Sequence, residues 1–84
     1  MIKLLYFAGL REALGTAAEQ WVPAPDVGTV GALRAHLAAR GGVWAEQFAP
    51  QRNLRAAVNQ DMRGLDHPVA DGDEVAFFPP VTGG

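Results

Sequence analysis

Groups able to do chemistry are scarce in these 84 residues, and the stretch that offers one is Pro79-Pro80-Val81-Thr82-Gly83-Gly84. It finishes on two glycines and a free carboxylate. Glycine has no β-carbon, so a Gly-Gly end is thin, adopts almost any φ/ψ and fits a narrow channel in another protein. The two prolines before it restrict φ and remove two backbone donors, so a sheet does not readily run on into the tail. Taken alone, the tail supports two readings: a carboxylate held out for reaction, or a frayed end of the kind most chains have.

Elimination favours the first. The absence of cysteine excludes disulfides, thiolate-ligated zinc, iron–sulfur clusters and a thiol nucleophile. His36 and His67 are too few for an ordinary all-histidine zinc site, and there is neither a phosphate-binding Gly-rich loop with Lys nor a Gly-x-Ser-x-Gly elbow. Asp66, Asp71, Asp73 and Glu74 lack the spacing of a calcium loop; Asp-Gly is turn chemistry, although acidic residues this close in sequence to the tail are candidates to dock a basic partner. No metal and no cofactor is therefore expected on the chain itself. The net charge is −2 and basic residues are scattered from Lys3 to Arg63, which argues against a nucleic-acid stripe. No uncharged run reaches the roughly 18 residues of a membrane span, and Met1-Ile2-Lys3-Leu4 enters a strand without a signal peptide's cleavage region, so the expected compartment is the cytoplasm.

The elements that would position the tail follow from periodicity. Ile2–Phe7 predicts a strand in which Ile2, Leu4 and Tyr6 face a core while Lys3, Leu5 and Phe7 face outward. Ala8–Leu14 predicts a short helix with Leu10 and Leu14 inward and Gly15 as C-cap. Ala17–Val22 reads as a second strand. Thr29 is the expected N-cap of the main helix, which runs to about Arg40 and ends at Gly41-Gly42; Val30, Leu33 and Leu37 make its buried face, with Arg34 and Arg40 elsewhere and His36 partly exposed. Trp44 and Phe48 pair on a turn of helix closed by Pro50. Leu54–Asn59, Met62–Leu65 and Glu74–Phe78 read as further strands, with a turn at Gln60-Asp61 and with Val75 and Phe77 inward, so that Phe78 falls on the outer face beside Glu74. One long helix across a mixed sheet is a two-layer α+β arrangement. Its expected core is Ile2, Leu4, Val30, Leu33, Leu37, Val58, Val75 and Phe77.

This order with a protruding Gly-Gly end resembles the ubiquitin-like β-grasp fold. Ala57-Val58-Asn59-Gln60, Asp66-His67-Pro68 and the run from Asp71 to Gly84 resemble the small, sulfur-carrying subunits of molybdopterin synthases, as do Tyr6-Phe7-Ala8, Leu10-Arg11-Glu12 and Leu14-Gly15 near the start. The resemblance implies a β-grasp domain over 1–78 and a tail over 79–84. It implies that the chain is not an enzyme alone but the sulfur-donating subunit of a sulfurtransferase. A ubiquitin-activating-like adenylyltransferase, using ATP and magnesium, would adenylate Gly84. A sulfur donor would then displace AMP to leave a thiocarboxylate, and the tail would enter the large subunit, in an expected heterotetramer, to build the dithiolene of the molybdenum cofactor. Gly83 and Gly84 would supply thinness, Pro79, Pro80, Val81 and Thr82 the extended arm, and Phe7, Met62 and Phe78 the partner interface. A sulfur carrier for thiamine or another thio-compound, and a modifier that forms isopeptide bonds, are the alternatives.

Overall fold

The structure is a computed structural model, and it describes residues 1–80. The chain forms β1 (Ile2–Tyr6), α1 (Ala8–Leu14), β2 (Ala18–Trp21), α2 (Val30–Ala38), α3 (Gly42–Gln47), β3 (Arg55–Val58), β4 (Asp61–Arg63) and β5 (Glu74–Phe78). The five strands make one mixed sheet in the order β2-β1-β5-β3-β4, in which β1 and β5 run parallel and the other neighbours antiparallel. The fold is the ubiquitin-like β-grasp, with helices across one face of the sheet.

Strand parity behaves as alternation requires. Ile2, Leu4 and Tyr6 of β1 and Val75 and Phe77 of β5 are buried, and they meet Val30, Leu33 and Leu37 of α2. Ala56, Val58, Trp21, Leu10, Val27, Phe48 and Val69 complete the cluster. Burying a large apolar side chain is worth about 1.5–3 kcal/mol, so this cluster is the main source of stability. Tyr6, Trp44, Phe48 and Phe77 form its aromatic part: Phe48 meets Phe77 and Tyr6 edge-on at 5.3 and 6.1 Å, and stacks on Trp44 at 5.8 Å. The Arg40 guanidinium covers the Trp44 ring at 4.4 Å and pairs with Glu19 of β2 at 2.6 Å, which ties α3 to the sheet edge. The side-chain bond to Glu19 holds the Arg40 proton more tightly than usual.

The local signals for the helices are physical. Gly15 takes the left-handed conformation at φ 74° and caps α1 through its N–H to Arg11 O. Thr29 Oγ1 accepts from Ala32 N–H at 3.1 Å, the expected N-cap of α2. Three expectations shift. The main helix stops at Ala38, because Arg40 and Gly41 donate to Leu37 and Ala38 in a tightened i→i−3 turn; Gly41 and Gly42 then start α3 rather than merely ending α2. The hairpin turns at Asn59-Gln60, both at positive φ (50° and 73°), so β4 covers Asp61–Arg63 and not Met62–Leu65. Leu65 instead crosses to α2, where Gly31 N–H donates to its carbonyl at 2.8 Å; a β-carbon at Gly31 would sit 3.1 Å from that oxygen.

Arg34 is the third correction. It is buried rather than solvated, and its Nε and Nη2 donate to the carbonyls of Phe48, Ala49 and Arg52. A planar fork suits this task, since it satisfies three loop carbonyls from one side chain. Burial makes the guanidinium easier to deprotonate than an exposed one.

Candidate functional site

The sheet has a second face, and the helices leave it bare. Its residues are set by register. Leu5 pairs with Ala18 and Ala76, Ala76 with Ala57, and Ala57 with Met62. An unbroken apolar row, Ala18–Leu5–Ala76–Ala57–Met62, therefore crosses all five strands. Ala57 and Ala76 are only 9% exposed, yet neither belongs to the core cluster under the helices. They are shielded by larger neighbours on their own face, which makes the middle of the row a shallow floor.

Phe7 and Phe78 border this floor on one side. Tyr6 pairs with Phe77, and Phe7 N–H donates to Phe77 O at 3.2 Å, so Phe7 continues the parallel ladder beside Phe78. Phe7 is extended at φ −122°, ψ 158° and 46% exposed; Phe78 is half-buried; Met62, at the opposite edge, is 58% exposed. Single exposed apolar side chains are ordinary, but a continuous row with large ones at its rim is the anatomy of an interface core. On the other side the face turns polar, with Lys3 opposite Gln20 and Glu74. Ala8, just after Phe7, holds a positive φ of 54°, a turn that ends β1 at Tyr6 rather than Phe7.

The arm leaves from the same border. Pro79 and Pro80 follow Phe78 directly and line a cleft of about 280 Å³ with Gly9 and Leu10 at the start of α1, and with Arg52, Asn53 and Leu54. Val81, Thr82, Gly83 and Gly84 lie outside the described residues. The acidic turn does not accompany the arm. Asp71 pairs with the Met1 ammonium, and Asp73 accepts from Ala70 N–H and Asn59 Nδ2, all ahead of the first residue of β5. The arm starts at the far end of that strand, roughly 20 Å away at strand rise. Closeness in sequence thus does not become closeness in space: Asp71 and Asp73 are not at the root of the arm.

The structure brings Phe7, Met62 and Phe78 to one face; parity led there for Phe7 and Phe78, and the resemblance alone for Met62. Parity also turns Leu5 outward and puts Ala76 on the side of Phe78, but it misses Ala57, and Arg55, which pairs with Phe78. Ala57 of β3 and Ala76 of β5 were the available signal, and only the register, which pairs them, turns them into a floor.

The model of the ThiS family matches residues 4–84. This chain belongs to the ThiS family. Among its relatives, the molybdopterin synthase sulfur carrier subunit of Escherichia coli (strain K12) is 55% identical over 84 residues, covering 100% of both chains. Among solved structures, the small archaeal modifier protein 1 of H. volcanii superposes with a TM-score of 0.77 at 25% identity, over 95% of this chain and 97% of that one. A protein–protein complex of subunits 1 and 2 of molybdopterin-converting factor from Helicobacter pylori 26695 has a chain that matches with a TM-score of 0.64 at 23% identity, over 99% of this chain and 97% of that one. That last likeness is one of fold. This ThiS-family chain has, among its described residues, no helix long and apolar enough to cross a membrane.

Proposed function

We propose that this chain is the sulfur-carrier subunit of a molybdopterin synthase, with sulfur carried as a thiocarboxylate on Gly84. The observation that carries the reading is full-length identity of 55% to a molybdopterin synthase sulfur carrier subunit. The apolar row bordered by Phe7 and Phe78, next to Pro79 and Pro80, supports it physically: a partner that covers this face has the root of the arm at its own border.

The chemistry is that of a carboxylate made electrophilic. A carboxylate oxygen of Gly84 attacks the α-phosphorus of ATP, and pyrophosphate leaves with the electron pair of the broken P–O bond. A donor of sulfide-level sulfur then attacks the acyl carbon; the C–S bond forms, and AMP leaves with the C–O pair. The ATP and magnesium belong to the activating adenylyltransferase, and the pterin site to the large subunit, so this chain alone turns over nothing. Its residues contribute recognition and reach. Leu5, Phe7, Met62 and Phe78 bury apolar surface on the large subunit, in a heterotetramer. Pro79 and Pro80 hold the arm off the sheet, and Gly83 and Gly84 fit the channels of two successive partners.

Two measurements test this. Mass spectrometry of the protein expressed with its natural partners is expected to show a gain of about 16 Da on the C-terminal peptide, sulfur in place of oxygen. Isopeptide adducts on other proteins with no such gain would instead make it a modifier. Phe78→Asp places a charge at the rim of the face and is expected to weaken binding to the large subunit by at least about tenfold, with little change in thermal stability, because the side chain is only half-buried. Sulfur transfer to a thiazole or another acceptor by the loaded protein, with none to the pterin precursor, would redirect the reading to a different thio-pathway.

A further inference from the structure

The central strand leaves the sheet through a gap. Beyond Phe78 the register of β3 and β5 would set Pro79 opposite Leu54 and Pro80 opposite Asn53, but neither proline has an N–H to continue the ladder. On the other side β1 has already turned away at Ala8. Pro79 and Pro80 are nevertheless half-buried. Two walls flank them: Gly9 and Leu10 at the start of α1, and Arg52, Asn53 and Leu54 of the loop before β3. The first wall belongs to a helix anchored by Leu10 in the core. The second is a loop with little of its own to hold it. Among the described residues, the one backbone hydrogen bond within residues 49–54 runs from Arg52 N–H to Ala49 O at 2.9 Å.

Arg34 supplies what the loop lacks. It is 8% exposed on α2; its Nε donates to Phe48 O at 3.2 Å, and its Nη2 donates to Ala49 O and, at 2.7 Å, to Arg52 O. These bonds reach 14 to 18 residues along the chain and pin both ends of the 48–52 turn to the main helix. Arg52 is thus the last point the fork holds and the first residue of the wall beside the prolines. Without the fork, buried carbonyls 48, 49 and 52 must find water, and the wall moves with them. We propose that Arg34 is a positioning residue for the arm: it fixes the 49–54 loop as one side of the gap and so sets the direction in which the chain leaves β5. This rests on the sulfur-carrier reading above. Direction matters because the arm is a lever. Four residues follow Pro80. An extended chain of that length reaches roughly 13 Å, so a tilt of about 10° at its root moves its end by roughly 2 Å. Arg34 sits on α2, across the sheet from the apolar row, so aiming the arm and docking the row are separable.

The test is single-turnover sulfur transfer from the full-length chain, loaded as the thiocarboxylate, to the pterin precursor on saturating large subunit. Kd for that subunit and a thermal melt are measured for each form. Arg34→Met keeps an apolar stem and removes the fork. It is expected to slow transfer at saturation by about tenfold, with Kd within about twofold of the parent. Arg34→Lys keeps the charge and reaches fewer carbonyls, so its rate is expected to fall between those of Arg34→Met and the parent. Leu54→Ala trims the wall beside Pro79 and leaves the fork intact; it is expected to slow transfer by about threefold, again without loss of affinity. A role confined to stability lowers the melting temperature but leaves a folded variant at the parent's rate when assayed well below its melt. That result with Arg34→Met overturns the proposal, and so does a slowing that comes wholly from a raised Kd. If Arg34→Met does not fold, Arg34→Lys and Leu54→Ala decide, and parental rates in both overturn it. Absence of transfer from the loaded parent chain overturns the sulfur-carrier reading itself, and the positioning role with it.

Discussion

Tyr6 is the side chain least well served by its surroundings. It is fully buried, its ring is 5.5 Å from Trp44, and its hydroxyl finds no hydrogen-bond partner among the described residues. Burial, with a smaller push from Glu19, moves the phenol well above its ordinary pKa, and Arg40 offsets this in part. A raised native pKa means the unfolded chain ionises first. Stability from this group is therefore complete below about pH 10 and is lost as pH rises above it. Tyr6→Phe is expected to be neutral or stabilising by up to about 1 kcal/mol near pH 7, because it removes an unsatisfied polar atom and keeps the ring. It is also expected to reduce the alkaline loss; urea denaturation of both proteins at neutral pH and above pH 10 measures both effects. At this scale much was legible. Lys3 and Glu74 set the parity that turns Phe7 and Phe78 outward. Arg34 was not legible, because a guanidinium next to Leu33 on a helix is ordinarily solvated. Only the tertiary placement of carbonyls 48, 49 and 52 reveals its task.

Among the elements, the β3–β4 hairpin decides where Met62 goes. A turn one residue later would move Met62 to the opposite side of the ladder, since side chains alternate. Asn59-Gln60 fixes the register with two left-handed residues, and the Asn59 side chain adds bonds to Asp73 and to the Glu74 N–H at 3.0 Å each. Asn tolerates that conformation; Gln60 at φ 73° does so at a cost of roughly 1 kcal/mol. Gln60→Gly, giving the favoured Asn-Gly pair, is expected to raise stability by about 0.5–1 kcal/mol in chemical denaturation without affecting partner binding. The strand pattern around Met62 marked a hairpin in the sequence but not its turn, because Asn-Gln lacks the glycine that normally signals one. Likewise Gly41-Gly42 marked a break between helices, whereas the last turn of α2 had already tightened.

For the whole molecule, the apolar row is a product of long-range register. Ala18, Leu5, Ala76, Ala57 and Met62 come from five strands and become neighbours only when the sheet is complete. Periodicity identifies the outward residues of each strand, but not which outward residue lies beside which; for the tail, elimination singled out the terminal carboxylate, and the chemistry expected of it came from the resemblance alone. The floor offers a sharp test. Ala57→Glu puts a carboxylate in the middle of the face, where no described helix covers it. It is expected to weaken association with the large subunit by more than about tenfold, while the melting temperature changes by only a few degrees. Surface plasmon resonance and calorimetry on the same preparations check the two halves of that statement.

The central place of β5 has a consequence for how the chain matures. Residues 74–78 are the last strand in sequence, yet they sit between β1 and β3 and bond to both. Until they have been synthesised, the two halves of the sheet have nothing to join them, and neither the row nor its aromatic border exists. Such distant pairing is slow relative to local helix formation. A nascent or partly folded chain therefore lacks the apolar face altogether. The face thereby reports on completion of the fold: a partner that reads it meets it only on a chain whose β5 has been made and is seated between β1 and β3.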